Sequence, residues 1–262
     1  MKKIYAILMV FFFLMAGTAF AVPFNTRPLG PSDANLVTTT TGEASLSTIF
    51  GDIGFNAGAY DPYGTQSNAA IFTNMASGGA VASFIIAIAG NAPENTVGMY
   101  QYGDTDYLLP IFDGIQGDAT QATVSFFADN SVKVTSTGTG GTIIEQTYTN
   151  FGNVFGFYLS GPGGTFFTLD SDNPNNASQA LIYQGNGIDE VTVPGFHGGL
   201  FGTNHWIVAF EDLPYNTSDK DFNDFVFIVE SIQAVPEPST MLFLGTSLLG
   251  LLVVSRRKIF KK

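Results

Sequence analysis

His205-Trp206-Ile207-Val208-Ala209-Phe210 leads into Glu211-Asp212-Leu213-Pro214; after residues 215–218 come Asp219-Lys220-Asp221-Phe222-Asn223-Asp224 and Phe225-Val226-Phe227-Ile228-Val229-Glu230. These residues decide the fold class. Each apolar run is only five or so residues long and rich in β-branched and aromatic side chains, too short for a helix. The stretch therefore reads as strand, acidic loop, strand. Five carboxylates fall within the 14 residues 211–224, with Lys220 the one cation among them. Like charges so close together cost free energy unless a cation or a hydrogen-bond network compensates. Carboxylate and amide oxygens are the hard ligands that Ca²⁺ takes, so Glu211, Asp212, Asp219, Asp221, Asn223 and Asp224 are the candidate metal ligands and Ca²⁺ the candidate cofactor. A second reading stays open beside it: Asp and Asn form turns by capping backbone amides.

The order Asp219, Asp221, Asn223 fits the first half of an EF-hand loop, and Glu230 holds its twelfth place. Two facts reject that loop. Residue 224, where the sharp turn needs glycine, is Asp, and the strand at 225–229 carries Glu230 roughly 20 Å from Asp221 at ~3.3 Å per residue. What remains is a non-EF calcium loop at a strand junction.

Working outward, short β-like runs recur at 81–89, 96–102, 107–112, 122–128, 131–136, 142–149, 154–160, 165–169 and 180–183, broken by Gly, Asn, Asp and Pro. Asp129-Asn130 between two of them is a hairpin signal. Residues 45–50 have room for one or two helical turns. Such spacing predicts an all-β fold, an antiparallel β-sandwich of jelly-roll kind, occupying residues 44–232 as one domain. Residues 22–43, rich in Pro, Thr and Asn, read as an extended leader. No repeat of fixed period points to a solenoid or propeller.

Elsewhere the turn 170–176 (Asp-Ser-Asp-Asn-Pro-Asn-Asn) is a weaker metal candidate, and Asp104 with Asp106 a weaker one still. His197 and His205 have no second His or Cys at ligand spacing, which argues against zinc. Trp206, Tyr60, Tyr63, Tyr100 and Tyr102 are the aromatics available to stack on sugar rings, or equally to fill a core.

The ends carry addresses. Lys2 and Lys3 precede an apolar run at 4–15 and Ala19-Phe20-Ala21, the three parts of a secretory signal peptide, 1–21, cleaved after Ala21. At the other end, Pro236-Glu237-Pro238 precedes an uncharged apolar stretch at 241–254, then Arg256, Arg257, Lys258, Lys261 and Lys262. The basic cluster is a stop that keeps the chain end on the cytoplasmic side of the inner membrane. As a helix those 14 residues rise only ~21 Å, thin for a permanent anchor. Residues 235–262 resemble the PEP-CTERM sorting signal of Gram-negative bacteria in all three parts. The resemblance implies an exosortase-type processing enzyme as partner, in organisms that also make an exopolysaccharide matrix.

Between the expected cleavage sites, residues 22–235 hold three basic residues (Arg27, Lys133, Lys220) against 21 acidic ones, a net charge of −18. Such a surface repels phosphate backbones, which excludes nucleic acid and suits cations. Cysteine is absent, so disulfides contribute nothing to this exported chain.

Residues 150–232 are similar to the family catalogued as domain of unknown function 4114. The resemblance lies in Phe210-Glu211-Asp212-Leu213, Asp219-Lys220-Asp221-Phe222-Asn223-Asp224-Phe225-Val226, Phe155-Gly156-Phe157-Tyr158-Leu159 and Leu181-Ile182-Tyr183-Gln184-Gly185. One position departs: where the family often carries an Asp-His pair, Ser178-Gln179 stands here. The family implies a β-rich exported domain and no catalytic activity.

No Ser-His-Asp arrangement or G-x-S-x-G elbow appears, and no catalytic residues are assigned. The expected function is that of an exported cell-surface or extracellular-matrix protein, exopolysaccharide-associated in a biofilm, structural or adhesive and not an enzyme. A carbohydrate-binding module is the alternative, and a glycan-active hydrolase a more distant one.

Overall fold

In the computed structural model, the apolar runs flanking the acidic loop become two neighbouring strands inside a seven-stranded antiparallel sheet. The structure describes residues 27–38, 43–55, 60–75, 81–90, 94–113, 120–137, 143–193 and 198–236. The expected signal peptide 1–21, the helix 241–254 and the sorting residues Glu237, Pro238, Arg256, Arg257 and Lys258 lie outside these residues, as does His197. Among the described residues no helix is long and apolar enough to cross a membrane.

Strands are numbered along the chain. The larger sheet runs β10 (Ala180–Gln184), β13 (Trp206–Phe210), β14 (Phe225–Val229), β2 (Val81–Gly90), β5 (Gln121–Phe126), β6 (Val132–Thr137), β7 (Ile143–Tyr148). The second has six strands among the described residues: β15 (Ile232–Ala234), β1 (Phe72–Asn74), β8 (Val154–Gly161), β3 (Thr96–Gln101) and β4 (Asp104–Asp113) in order, with β9 (Gly164–Phe167) also on β8. β11 (Glu190–Val191) and β12 (Gly199–Leu200) make a small separate hairpin. Every pairing is antiparallel, and the two sheets face each other as a sandwich.

β5 and β6 alternate buried and half-buried residues, the pattern of a strand with one face on a core and one toward water. The inner faces meet in a core rich in phenylalanine. Phe157 of β8 lies with ring centroids 5.6, 5.7 and 5.1 Å from Phe72, Phe155 and Phe227. β13 and β14 are different: all five residues of each are buried. Their run of apolar residues follows from burial on both faces, a pattern more usual in parallel sheets.

The outer cover is the segment that sequence reading takes for an extended leader, together with the helix that follows it. Leu29 and Leu36 are buried there, Asn35 N donates to Lys220 O (2.8 Å), and the Tyr63 hydroxyl donates to Ala34 O (3.0 Å). Helix α1 (Leu46–Asp52) is capped by Ser45, whose Oγ accepts from Thr48 N at 3.2 Å. Its Leu46, Ile49 and Phe50 sit at i, i+3, i+4, so one side is apolar and is buried on the sheet. Phe50 meets Tyr183 of β10 edge-on, 4.9 Å between centroids at 90°. Seven residues make too short a helix to persist alone, whereas burying a large apolar side chain is worth about 1.5–3 kcal/mol. Tertiary packing, not helix propensity, therefore holds α1.

The fold also continues past residue 232, the expected domain end. β15 pairs with β1, and Val235 N donates to Ile71 O at 2.8 Å.

Candidate metal centre at the acidic loop

The loop 211–224 leaves β13 and re-enters β14 at the facing pair Phe210 and Phe225, so Glu211 and Asp224 start as neighbours. Glu211 is fully buried. Its backbone N donates to Gln179 O (3.0 Å), and its Oε1 accepts from Phe222 N (2.8 Å). Asp224 Oδ2 accepts from Asp212 N (2.8 Å), and Asp212 Oδ2 accepts from Asn95 Nδ2 (2.9 Å). Asn223 Nδ2 donates to Asp221 Oδ2 (3.0 Å) and to Ala44 O (2.8 Å), which ties the loop to the segment ahead of α1.

Lys220 and Phe222 have φ of 65° and 55°, a left-handed conformation that side chains with a Cβ adopt only when the surroundings enforce it. Here the enforcing contacts are Asn35 N on Lys220 O and Glu211 Oε1 on Phe222 N. Between these two turns, Asp219 and Asp221 come together with Glu43. One carboxylate oxygen from each of the three lies within 4.8 Å of the others. Glu43 is missed by sequence reading, being a lone acid ahead of α1; the Asn223 bridge to Ala44 and the Asn35 bond to Lys220 O hold its segment against the loop. Asp219 and Asp221 are placed where a shared ligand reaches both; Glu211, Asp212, Asp224 and Asn223 form the hydrogen-bonded network beside them.

The electrostatics follow from burial. Glu211 is pushed up to about 8, first by burial and then by the neighbouring charge of Asp224. The Phe222 amide opposes the rise, and so does the nearby Ser218 hydroxyl, although Ser218 makes no aligned hydrogen bond to Glu211. Burial also raises Asp224 to about 7, the Asp212 amide opposing and the Asp212, Asp221 and Asp219 charges adding to it. Glu43 is raised by burial and by Asp221, Asp219 and Asp212. A cation in this place would offset all three effects at once, because it supplies a charge opposite to theirs.

The departure at 178–179 acquires a role. Gln179 Nε2 donates to Leu213 O (2.7 Å) and its Oε1 accepts from Tyr215 N (2.8 Å), so this side chain fastens the start of the acidic loop. Ser178 Oγ donates to Asp170 Oδ2 at 2.7 Å.

The weaker candidates are engaged internally. Asp170 pairs with Arg27 (3.3 Å), Asp172 Oδ2 accepts from the Tyr100 hydroxyl (2.8 Å), and Asn173 bonds both N and O of Phe167. Asp104 Oδ1 accepts from Asp106 N (3.1 Å), the turn chemistry of an Asx motif. Glu230 lies beyond β14, 3.8 Å from His205 Nδ1 and away from the loop, in keeping with the rejection of an EF-hand. Trp206, Tyr60 and Tyr100, considered for sugar stacking, are core residues. Trp206 is 2% exposed, and its indole NH donates to Ile232 O at 3.1 Å. Of the other two aromatics, Tyr63 is half-buried and Tyr102 is 40% exposed.

No curated protein matches the chain. Among solved structures, a Chromobacterium violaceum lectin in complex with alpha-methyl-fucoside is similar over 65% of this chain and 100% of its own, at 10% identity and a TM-score of 0.25, too slight a likeness to carry an argument. Two family matches are informative. Residues 234–258 match the PEP-CTERM protein-sorting motif, which marks export, surface sorting and processing by an exosortase. Residues 115–231, which contain β5 to β14, match the domain of unknown function DUF4114.

Proposed function

We propose that this protein is a structural or adhesive component of the cell surface or extracellular matrix, not an enzyme, and that Ca²⁺ locks its sandwich at the acidic loop. The observation that carries the calcium reading is the meeting of Glu43, Asp219 and Asp221 within 4.8 Å, beside buried Glu211 and half-buried Asp224. Three hard oxygens suit Ca²⁺, which completes six to eight ligands with water and carbonyls, whereas Mg²⁺ demands a tighter octahedron and gives up its water reluctantly. The ion joins the N-terminal cover of the larger sheet to the β13–β14 loop, so its effect is on the stability of the whole sandwich. An exopolysaccharide is the matrix partner we assign, after release of the tail by the exosortase.

The test is a calcium titration of residues 22–236 by calorimetry and thermal unfolding, with sodium at matched ionic strength to remove plain screening of the acidic surface. At 100 times the dissociation constant, binding to the folded state alone adds about 2.7 kcal/mol. Glu43→Gln and Asp221→Asn should each lose most of that gain. Equal responses from wild type and both variants would reduce the loop to a turn.

A carbohydrate-binding reading has one supporting feature, a groove of about 730 Å³ whose lining includes Asn68, Asn176 and Gln184. Enrichment of the folded protein on a glycan array supports it, and loss of that enrichment in Asn68→Ala places the ligand there.

A further inference from the structure

Strand β7 closes one side of the larger sheet, and residues 143–147 of it are exposed. Ile143 and Ile144, on opposite faces, are 68% and 46% exposed, so nothing packs closely over either face. Among the described residues β7 pairs with β6 alone.

The hairpin beside it fixes where its backbone groups point. Phe127 N donates to Ser131 O (2.9 Å), the pair that continues the β5–β6 register. Hydrogen-bonded pairs alternate along an antiparallel ladder, so Lys133 and Thr135 also bond toward β5, and Val132, Val134 and Ser136 bond toward β7. Their partners there are Tyr148, Gln146 and Ile144. Ile143, Glu145 and Thr147 therefore turn their N–H and C=O outward from the sheet. The next outward carbonyl, Thr149 O, accepts from the Tyr107 hydroxyl; among the described residues, the backbone groups of 143, 145 and 147 have no such partner.

The other sheet edges are blocked. Residues 66–67 cover β10, with Ser67 N on Ile182 O at 2.7 Å and a bridge from Gln66 to Tyr183. β4 carries Pro110 with Asp104, Asp106 and Asp113, and β9 and β15 have only four and three residues. Proline, charge and brevity are devices that stop edge pairing. β7 has six residues, no proline and one charge, and Lys133 Nζ matches that charge at 2.8 Å from Glu145 Oε1.

Charge selects the partner. Residues 121–149, from β5 to β7, hold Asp129, Lys133 and Glu145, a net −1 in a domain of −18. β14, which the acidic loop enters, lies four strands from β7. That is about 19 Å across the sheet, more than two Debye lengths at physiological ionic strength. This edge is where two copies of an acidic chain approach with little repulsion.

We propose that β7 pairs antiparallel with β7 of a second copy of this chain, about a two-fold axis at Gln146, so that two seven-stranded sheets become one. Because the odd-numbered residues bond outward, the axis passes through a residue, not between two. At Glu145 it would set the two Glu145 carboxylates opposite each other, a destabilising pair. At Ile144 or Thr147 only three of the six strand residues would face strand residues of the other copy. At Gln146, amide meets amide, Ile144 meets Tyr148, and Glu145 exchanges backbone bonds with Thr147, each contact made twice by symmetry.

The chain has no cysteine, so an introduced one reports the contact. Gln146→Cys at the axis places two Cα atoms ~4.5 Å apart in a non-hydrogen-bonded pair, within disulfide range. Full-length protein carrying it, exported into an oxidising compartment, should run mostly as a reducible dimer on non-reducing electrophoresis. Ala128→Cys, exposed at the β5–β6 turn of the same weakly charged region, should stay monomeric. Adding Thr147→Pro to Gln146→Cys removes an outward N–H, leaves the β6–β7 bonds in place and should abolish the dimer. Emission from Trp206, the only tryptophan, reports that each variant is folded. Equal cross-linking at 128 and 146, or a dimer indifferent to Thr147→Pro, marks random collision and overturns the pairing. A folded Gln146→Cys protein that stays monomeric overturns it too. Cross-linking of Glu145→Cys in preference to Gln146→Cys overturns the axis.

Discussion

Replacing Glu211 by Gln removes one buried carboxyl while keeping its shape and an oxygen that accepts from Phe222 N, a bond of 2.8 Å in the native loop. Burial and Asp224 push Glu211 from 4.5 up to about 8 when no cation is bound. The folded state therefore keeps a proton that the unfolded chain releases near 4.5, and between these two values folding binds protons. Stability is fully present below the unfolded value and is lost as pH rises through the window to about 8. That interval, at ~1.4 kcal/mol per pH unit, corresponds to roughly 4–5 kcal/mol as an upper limit. The limit is not reached in full, because Asp224 also takes up a proton near 7 and relieves part of the repulsion. Gln carries no such dependence. In urea unfolding with a calcium chelator, the stability of Glu211→Gln minus that of wild type should grow by several kcal/mol from pH 5 to pH 8. With saturating Ca²⁺ the carboxylate becomes an asset to the cation, so the growth should vanish or change sign. A difference that stays flat across pH 5–8 in chelator would refute the reasoning, since the Glu211 proton would then not be linked to folding.

Phe50→Ala removes the ring that meets Tyr183 edge-on and should lower stability by about 3–5 kcal/mol in urea unfolding, releasing the N-terminal cover from β10 and β13. Gly98→Ala in β3 should cost about 1–3 kcal/mol or more, because the new methyl would fall 2.1 Å from the Leu109 carbonyl oxygen and 2.7 Å from the Tyr158 ring; a loss under ~0.5 kcal/mol would show that β3 shifts freely. Intact-mass spectrometry of protein from the envelope or medium should show a chain that begins at or near Val22 and lacks Lys262, and a full-length mass would exclude removal of the tail.

The strand, loop, strand reading of residues 205–230 needed nothing beyond local information. Runs of five apolar residues between turn formers have no length for a helix, and the antiparallel all-β class follows from their spacing. The sorting motif is equally local, since charge and hydropathy in contiguous order are what such a signal consists of. The excess of carboxylates was legible too, because charge is additive along a chain. Tertiary structure decided the rest. β1, β11, β12 and β15 have two or three residues each and exist only because a partner strand supplies their hydrogen bonds, so no local pattern marks them. Trp206, Tyr60 and Tyr100 have the composition of a sugar platform, yet packing puts each in a different apolar cluster: Trp206 between the sheets, Tyr60 under the N-terminal cover and Tyr100 against Tyr158 and Phe167. Glu43 joins Asp219 and Asp221 through a fold that lays the N-terminal segment across the sheet, and a ligand set assembled from segments distant in sequence has no signature along the chain. What the amino-acid sequence determined was which residues want a strand, a turn or a cation; which of them meet depended on burial of the outer face of β13 and β14, a property of the whole packed molecule.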